Sequence, residues 1–564
     1  MTAQRYRTAW RALALFFLLA GTLLWVSTYL SAQSSPPATF NLAVFTGSKA
    51  PTSIVKLLTE RRFAEAQEEA RELAAKTPQD ASMANLEGVT FLLVGNLTKA
   101  EAFFHQSLRL NPQFLLAYRN LGITFWHEHK MADAQQAFTE ALRLDSADPV
   151  ANLYEGQIAF ARHDCAAAAQ SFNQSGETLL SLPVAVFMDA VCHFQLGQPQ
   201  KAALLLGKMG KNPAIPYAPV FRFALEAGKQ RSFPVALAAL KLLPDDYPDP
   251  YTHGYDEALA AYESGDDTAS VAMIRRMLSR GLGNAELYNL LGNALEDQGI
   301  AHKQPNVIKQ AYEAYRKGIY TDPHNLANFI DIGRLALKLG NYDLGEELLT
   351  QGLAQNPQAY QLMLERGIAY AFSSHTREAA VDFANARRLA PDDPMPYMAS
   401  GILAIQEGHN AQAAAALQEG IDRAHPANAW LYYLLARALY KQGHQTPETE
   451  TRIRAALQEA IQLNPSFAEA YGLAGHVWLK SGQPEQAVKF LQAAHRLDPQ
   501  NSHYVYELAV AQRMQGDSED AARDFQKFRD LEAVNNPARI KKYFIKIFVD
   551  QPSAAGFQAM NDRR

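Results

Sequence analysis

Apolar residues recur along this chain at helical spacing, in stretches of about a dozen residues separated by short polar turns, and the helices they mark come in pairs. The segment SLRLNPQFLLAYRNLG at 107–122 returns as AIQLNPSFAEAYGLAG at 460–475, 353 residues later. Along the chain, a small residue stands in the same context again and again. It is Gly88, Gly122, Gly156, Ala190, Ala224, Ala258 and Gly292, each 34 residues after the last, and then Gly333, Gly367, Gly401, Ala436, Gly475 and Ala509. Insertions of 7, 1 and 5 residues in the steps 292–333, 401–436 and 436–475 turn ten periods into the observed 353.

Fixed offsets repeat inside each period. Twelve residues after the small position comes an alanine (Ala100, Ala134, Ala168, Ala202, Ala236, Ala379, Ala413, Ala487, Ala521), and sixteen after it a bulky apolar residue such as Phe104, Phe138, Phe172, Phe383 or Phe525. Twenty-four after it comes proline, as at Pro112, Pro248, Pro357, Pro391 and Pro499. Two helices explain the pattern: small residues let the axes approach, the aromatic ring fills the space between them, and proline ends the second helix. One such pair cannot bury its apolar faces, whereas stacked pairs can, so the expected product is an all-α solenoid.

The 34-residue unit with these small, aromatic and proline marks resembles the tetratricopeptide repeat family. About 14 units are expected across 51–534, including a degenerate first unit around Ile54. The resemblance implies a right-handed superhelical stack and a non-catalytic scaffold that binds protein segments in a concave groove. Some units depart from the pattern. The stretch 207–252 is rich in proline, which suggests a bend between two stacks, and Ser270 and Gly345 replace the expected alanine.

The termini follow different rules. Arg5, Arg7 and Arg11 precede an uncharged apolar run at 12–30, so residues 1–32 read as a signal peptide or a signal-anchor transmembrane helix, followed by a linker at 33–50. Everything after it is then expected outside the cytoplasm, periplasmic or in the cell envelope, held at the inner membrane if the segment is kept. At the other end, Ile540, Tyr543, Phe544, Ile547 and Phe548 form one apolar stripe within 535–564. A helix there either caps the open end of the stack or, through Lys541, Lys542 and Lys546, meets an anionic membrane.

Charge and composition narrow the partners. The 564 residues carry a formal net charge of -5, which offers nucleic acid no basic footprint. The segment WHEHK at 126–130 begins like a zinc-protease helix, but Met131 stands where the second ligand is needed, and His127 and His129 fall at a helix end and its turn. No catalytic, cofactor or metal-binding set is expected. The two cysteines, Cys165 and Cys192, lie at helix ends that antiparallel packing brings together, so an oxidising compartment invites a disulfide; two buried thiols are the alternative.

The resemblance also implies that positions −6, −3, +1 and +4 from the small residue face the groove. These positions give Trp430, Tyr433, Arg437 and Tyr440, with Arg334, Arg119 and Trp126 in other units, and aromatic and arginine side chains are the usual interface anchors. The family's lysine and asparagine clamp for a peptide carboxylate is not reproduced: Arg119 and Asn120 are followed in the next unit by Val150, Leu153 and Tyr154. A protein or peptide ligand is therefore expected, of unspecified sequence. A role in exopolysaccharide or cell-envelope assembly, where such repeats hold parts beside a membrane pore, is the second reading.

Overall fold

The computed structural model describes residues 45–46, 50–211, 215, 217–443 and 446–532. Residues 1–32, expected to be a targeting segment, most of the stretch 33–50 expected to be a linker, and the C-terminal segment 535–564 lie outside the described residues. No helix among the described residues is long and apolar enough to cross a membrane.

Among the described residues there are fourteen antiparallel helix pairs, one short 3-10 helix at Gly176–Ser181, and no strand. Most helices are 13 or 14 residues long, as in Leu115–His127 with Met131–Leu144, or Tyr360–Phe372 with Thr376–Leu389. The 7 residues inserted after Gly292 lengthen both members of one pair, Ala285–Ala301 and Pro305–Thr321, to 17 residues each. Helix starts are set locally. Asp148, Asp164, Asp249, Asn284 and Asp393 cap first-turn N–H groups, and proline opens Pro149–Ala161, Pro250–Glu263 and Pro394–Gln406, where its missing donor costs nothing.

The small position is a contact, not a gap. A Cβ added at Gly88, Gly156 or Gly367 would lie 2.5 Å from the ring of Phe104, Phe172 or Phe383 respectively, and each of those rings is fully buried. In the lengthened pair the partner of Gly292 is Tyr315 rather than the residue sixteen on, because the insertion shifts the register. Ser270 keeps its place by donating its hydroxyl to the Ala258 carbonyl at 2.9 Å, so a buried polar group is satisfied at the helix crossing. At Gly345 a Cβ would lie 3.1 Å from Leu337 Cδ2, so the pair is drawn tight.

The chain divides into two compact bodies, one ending at Ser279 and one beginning at Arg280. The proline-rich stretch thus lies inside the first body rather than at the division. Its effect is local: the helices Pro199–Gly207 and Phe233–Leu240 are short and pack directly on each other. In the second body, the first helices of successive pairs touch one another in sequence from Ala285–Ala301 to Ser502–Gln515, forming a continuous inner surface. The first helices Ala81–Leu93, Leu115–His127, Pro149–Ala161 and Pro183–Gln195 do the same in the first body.

Candidate functional site

In the first body, Phe45, from the stretch 33–50 expected to be a linker, is seated on the inner surface. Phe45 is only 2% exposed and belongs to an apolar cluster with Leu121, Phe125, Trp126 and Tyr154. Its carbonyl accepts a hydrogen bond of 3.0 Å from Asn120 Nδ2, which also donates to Asn85 Oδ1 at 3.0 Å. Asn85 Nδ2 and Asn120 Oδ1 remain buried without a hydrogen-bond partner. An amide donor beside an amide acceptor is the chemistry that reads a peptide backbone, whatever its side chains.

Arg119 and Trp126, expected to face a ligand, are used within this body. Arg119 is 6% exposed and donates to Asp148 Oδ2 at 2.8 Å. The other oxygen of Asp148 caps the next first helix, accepting from Val150 N and Ala151 N, so the ion pair ties successive units. Burial pulls the Arg119 guanidinium below its ordinary range, and the Asp148 carboxylate opposes that pull. Trp126 is 3% exposed and meets Tyr154 edge-on at 5.4 Å. Stacking of the following pair covers both residues, which a rule applied to one helix at a time does not register. His129 is on an exposed turn with φ 60, and His127 is buried.

The inner surface of the second body opens on a dense polar network. Asn289 donates to Asp331 at 2.9 Å, the Tyr315 hydroxyl lies 2.7 Å from Asn293 Oδ1 and 2.9 Å from Glu296 Oε2 with one proton to share between them, and Lys338 donates to Glu296 at 2.8 Å. Arg334 reaches Glu365 Oε1 through Nε at 2.9 Å and Nη2 at 2.6 Å, with Asp331 at 4.0 Å. Burial pushes Glu296, Asp331 and Glu365 above the usual carboxylate range, opposed by Lys338 or Arg334. For Arg334, burial works against the charge, but the Glu365 carboxylate carries it above its ordinary value. Arg334 therefore acts first as an intramolecular tie.

Farther along, the aromatic group expected at 430–440 is present as a packed set. Trp430 and Phe467 have ring centroids 4.5 Å apart, Tyr433 and Phe467 5.2 Å, and Trp430 meets Tyr433 edge-on at 5.7 Å. Tyr433 is 4% exposed, so it supports the surface more than it forms it, while Trp430, Arg437 and Tyr440 stay half-buried. Phe467, at the start of the next first helix, lies outside the four offsets considered and was not legible from them.

Tyr440 leads to a group the sequence reading did not single out. Its hydroxyl lies 2.7 Å from His476 Nε2, and His476 Nδ1 is in direct contact with Glu507 Oε1. His503 Nε2 lies 3.3 Å from the same oxygen. In the first body, Cys165 and Cys192 are both buried, with Sγ atoms 2.7 Å apart.

The helix pairs, their glycine-aromatic contacts and their continuous inner faces define an α-helical repeat scaffold. Residues 56–114, 115–177, 330–394 and 398–445 match one tetratricopeptide repeat model, and 452–505 match a second. The chain belongs to the tetratricopeptide repeat family. It is 22% identical over 222 residues to human tetratricopeptide repeat protein 6, a match covering 39% of this chain and 41% of that relative. The chain thus spans about two fifths of that relative's length. Among solved structures it is similar to yeast Tom70, at 17% identity over 79% of this chain and 96% of that chain, with a TM-score of 0.38. It is also similar to the Cut9–Hcn1 hetero-tetramer of APC/C, at 13% identity over 90% and 99%, with a TM-score of 0.36. A third, YrrB, described as a TPR protein with an unusual peptide-binding site, shares 18% identity over 35% and 98%, with a TM-score of 0.28.

Proposed function

We propose that this protein is a non-catalytic interaction scaffold, exported or tethered at a membrane, that binds protein segments on the inner surfaces of its helical repeats. The observation that carries this reading is Phe45. Phe45 buries its aromatic ring on the inner surface and gives its backbone carbonyl to Asn120, as a residue of a segment bound from another protein would. The adjoining Asn85 and Asn120 amides hold a further donor and acceptor in reserve. Export or tethering is supported by Arg5, Arg7 and Arg11 ahead of the apolar run 12–30.

The test is site-specific photo-crosslinking in the native cell. A crosslinker at Leu116, one turn before Asn120 on the same first helix, should capture a recurrent protein, and one at the exposed residue Gln136 should not. Phe45→Ala should raise the yield at Leu116 by vacating the seat. Equal capture at both positions, or capture unchanged by Phe45→Ala, would place binding elsewhere.

A further inference from the structure

We propose that His476, His503 and Glu507 bind one divalent cation of the zinc class on the inner surface of the second body. The set comes from two neighbouring first helices. His476 is on Ala468–Lys480, and His503 and Glu507 are four residues apart on Ser502–Gln515, so their side chains share one face. One ligand atom from each, two imidazole nitrogens and a carboxylate oxygen, all lie within 4.8 Å of one another. A tetrahedral ion with bonds of about 2.0–2.1 Å needs ligand atoms about 3.3 Å apart. The His503 Nε2 to Glu507 Oε1 separation is 3.3 Å, and His476 Nδ1 is already in contact with Glu507. Little movement is needed.

Two further observations separate this set from an ordinary surface ion pair. Glu507 is 5% exposed, and its Oε2 is buried without a hydrogen-bond partner, so a carboxylate has been carried into the helix packing with binding capacity unused. Tyr440, from the first helix of the preceding pair Ala429–Lys441 and Pro447–Leu463, stands 2.7 Å from His476 Nε2. If Nε2–H donates to that hydroxyl, the Nδ1 lone pair is turned toward Glu507 and His503. Orientation of a ligating imidazole by a hydrogen bond at its other nitrogen is the usual support for a metal site.

Two nitrogens and one carboxylate favour Zn2+ and its neighbours Co2+ and Ni2+ over Mg2+ and Ca2+, which take all-oxygen shells. Three protein ligands leave a fourth position for water or for a side chain of a bound partner. His503 is exposed, so that position opens toward solvent. The ion would tie the last two pairs together and add to their stability in proportion to its occupancy.

The full-length chain is titrated with Zn2+ against a chromophoric chelator, and with Co2+ by its visible absorption. One equivalent should bind, with tetrahedral cobalt bands. His503→Ala removes an exposed side chain and leaves the packing intact, and it should weaken Zn2+ binding by at least tenfold and abolish the bands. Tyr440→Phe should weaken binding by about tenfold. His129→Ala, at the exposed turn in the first body, should change nothing. Absence of a stoichiometric equivalent in the parent protein, or binding unaltered by His503→Ala, would overturn the proposal.

Discussion

Gly122 faces the ring of Phe138 so closely that a Cβ on the glycine would lie 2.7 Å from ring atom Cε1. The ring is fully buried and has no room to retreat. Gly122→Ala should therefore cost about 1–3 kcal/mol through overpacking. Gly207 lies at the end of its helix with nothing within 4 Å of an added Cβ, so Gly207→Ala should be neutral or gain up to ~1 kcal/mol. Urea denaturation of the two variants measures the contrast; equal effects would show that the close approach is not what the small position provides.

That contact explains why so much of the fold is legible in the sequence. Spacing is enforced by sterics within one helix pair, so the thirty-four-residue period and the offset from Gly122 to Phe138 survive as a written pattern. The ion pairs between units leave no such mark: Arg119 and Asp148 are 29 residues apart, Arg334 and Glu365 31, and their meeting depends on how neighbouring pairs stack. Arginine alone therefore looked like a binding residue. The histidine set is an intermediate case. Tyr440, His476 and His503 all occupy inner-face offsets, +4, +1 and −6, but the offsets were weighed for aromatic and arginine anchors, and Glu507 lies outside them.

The burial of Tyr433 divides the aromatic group into support and surface. Tyr433→Ala should lose about 3–5 kcal/mol by emptying the space against Trp430 and Phe467. Arg437→Ala, at a half-buried position, should cost less than Tyr433→Ala. Loss of partner capture in Arg437→Ala with unchanged thermal unfolding would assign binding to this face. If Tyr433→Ala is fully stable, the packed reading of the cluster fails.

Cys165 and Cys192 are adjacent across two helices, at a place where a covalent link requires little rearrangement. Protein isolated from an oxidising compartment should take up no alkylating reagent under denaturing conditions until reductant is added, and then two equivalents. Two equivalents taken up at once would mean that the pair stays reduced.

Asp189 gives the first body a pH dependence. Burial raises its carboxyl to about 7, with Lys201 opposing. Its unfolded value is about 3.9. Between roughly pH 4 and 7 the folded protein holds a proton that the unfolded chain has released, so stability falls as pH rises through that window and the full cost is present above it. Asp189→Asn should therefore gain up to about 4 kcal/mol at pH 8, and the gain should shrink toward zero near pH 4. His193, 3.5 Å away with its own pKa lowered by burial, acts in the opposite sense in both proteins. Denaturation across this range checks the difference, and a gain independent of pH would rule out the titration.

The Arg334–Glu365 pair allows a test of whether the polar network is structural. Arg334→Met removes the cation that faces Glu365 and Asp331 and leaves two buried carboxyls without it. A cost of about 3–5 kcal/mol is expected, most of it the penalty of an unpaired buried charge. Glu365 is already raised by burial, and losing Arg334 raises it further, so the variant can discharge the penalty by taking up a proton. The deficit should therefore be smaller at pH 5 than at pH 8, and Arg334→Met with Glu365→Gln should recover most of it, a non-additivity that only coupled residues display. Additive losses with no pH dependence would mean that the two groups are not energetically paired, and Arg334 would return to consideration as a residue held ready for a partner.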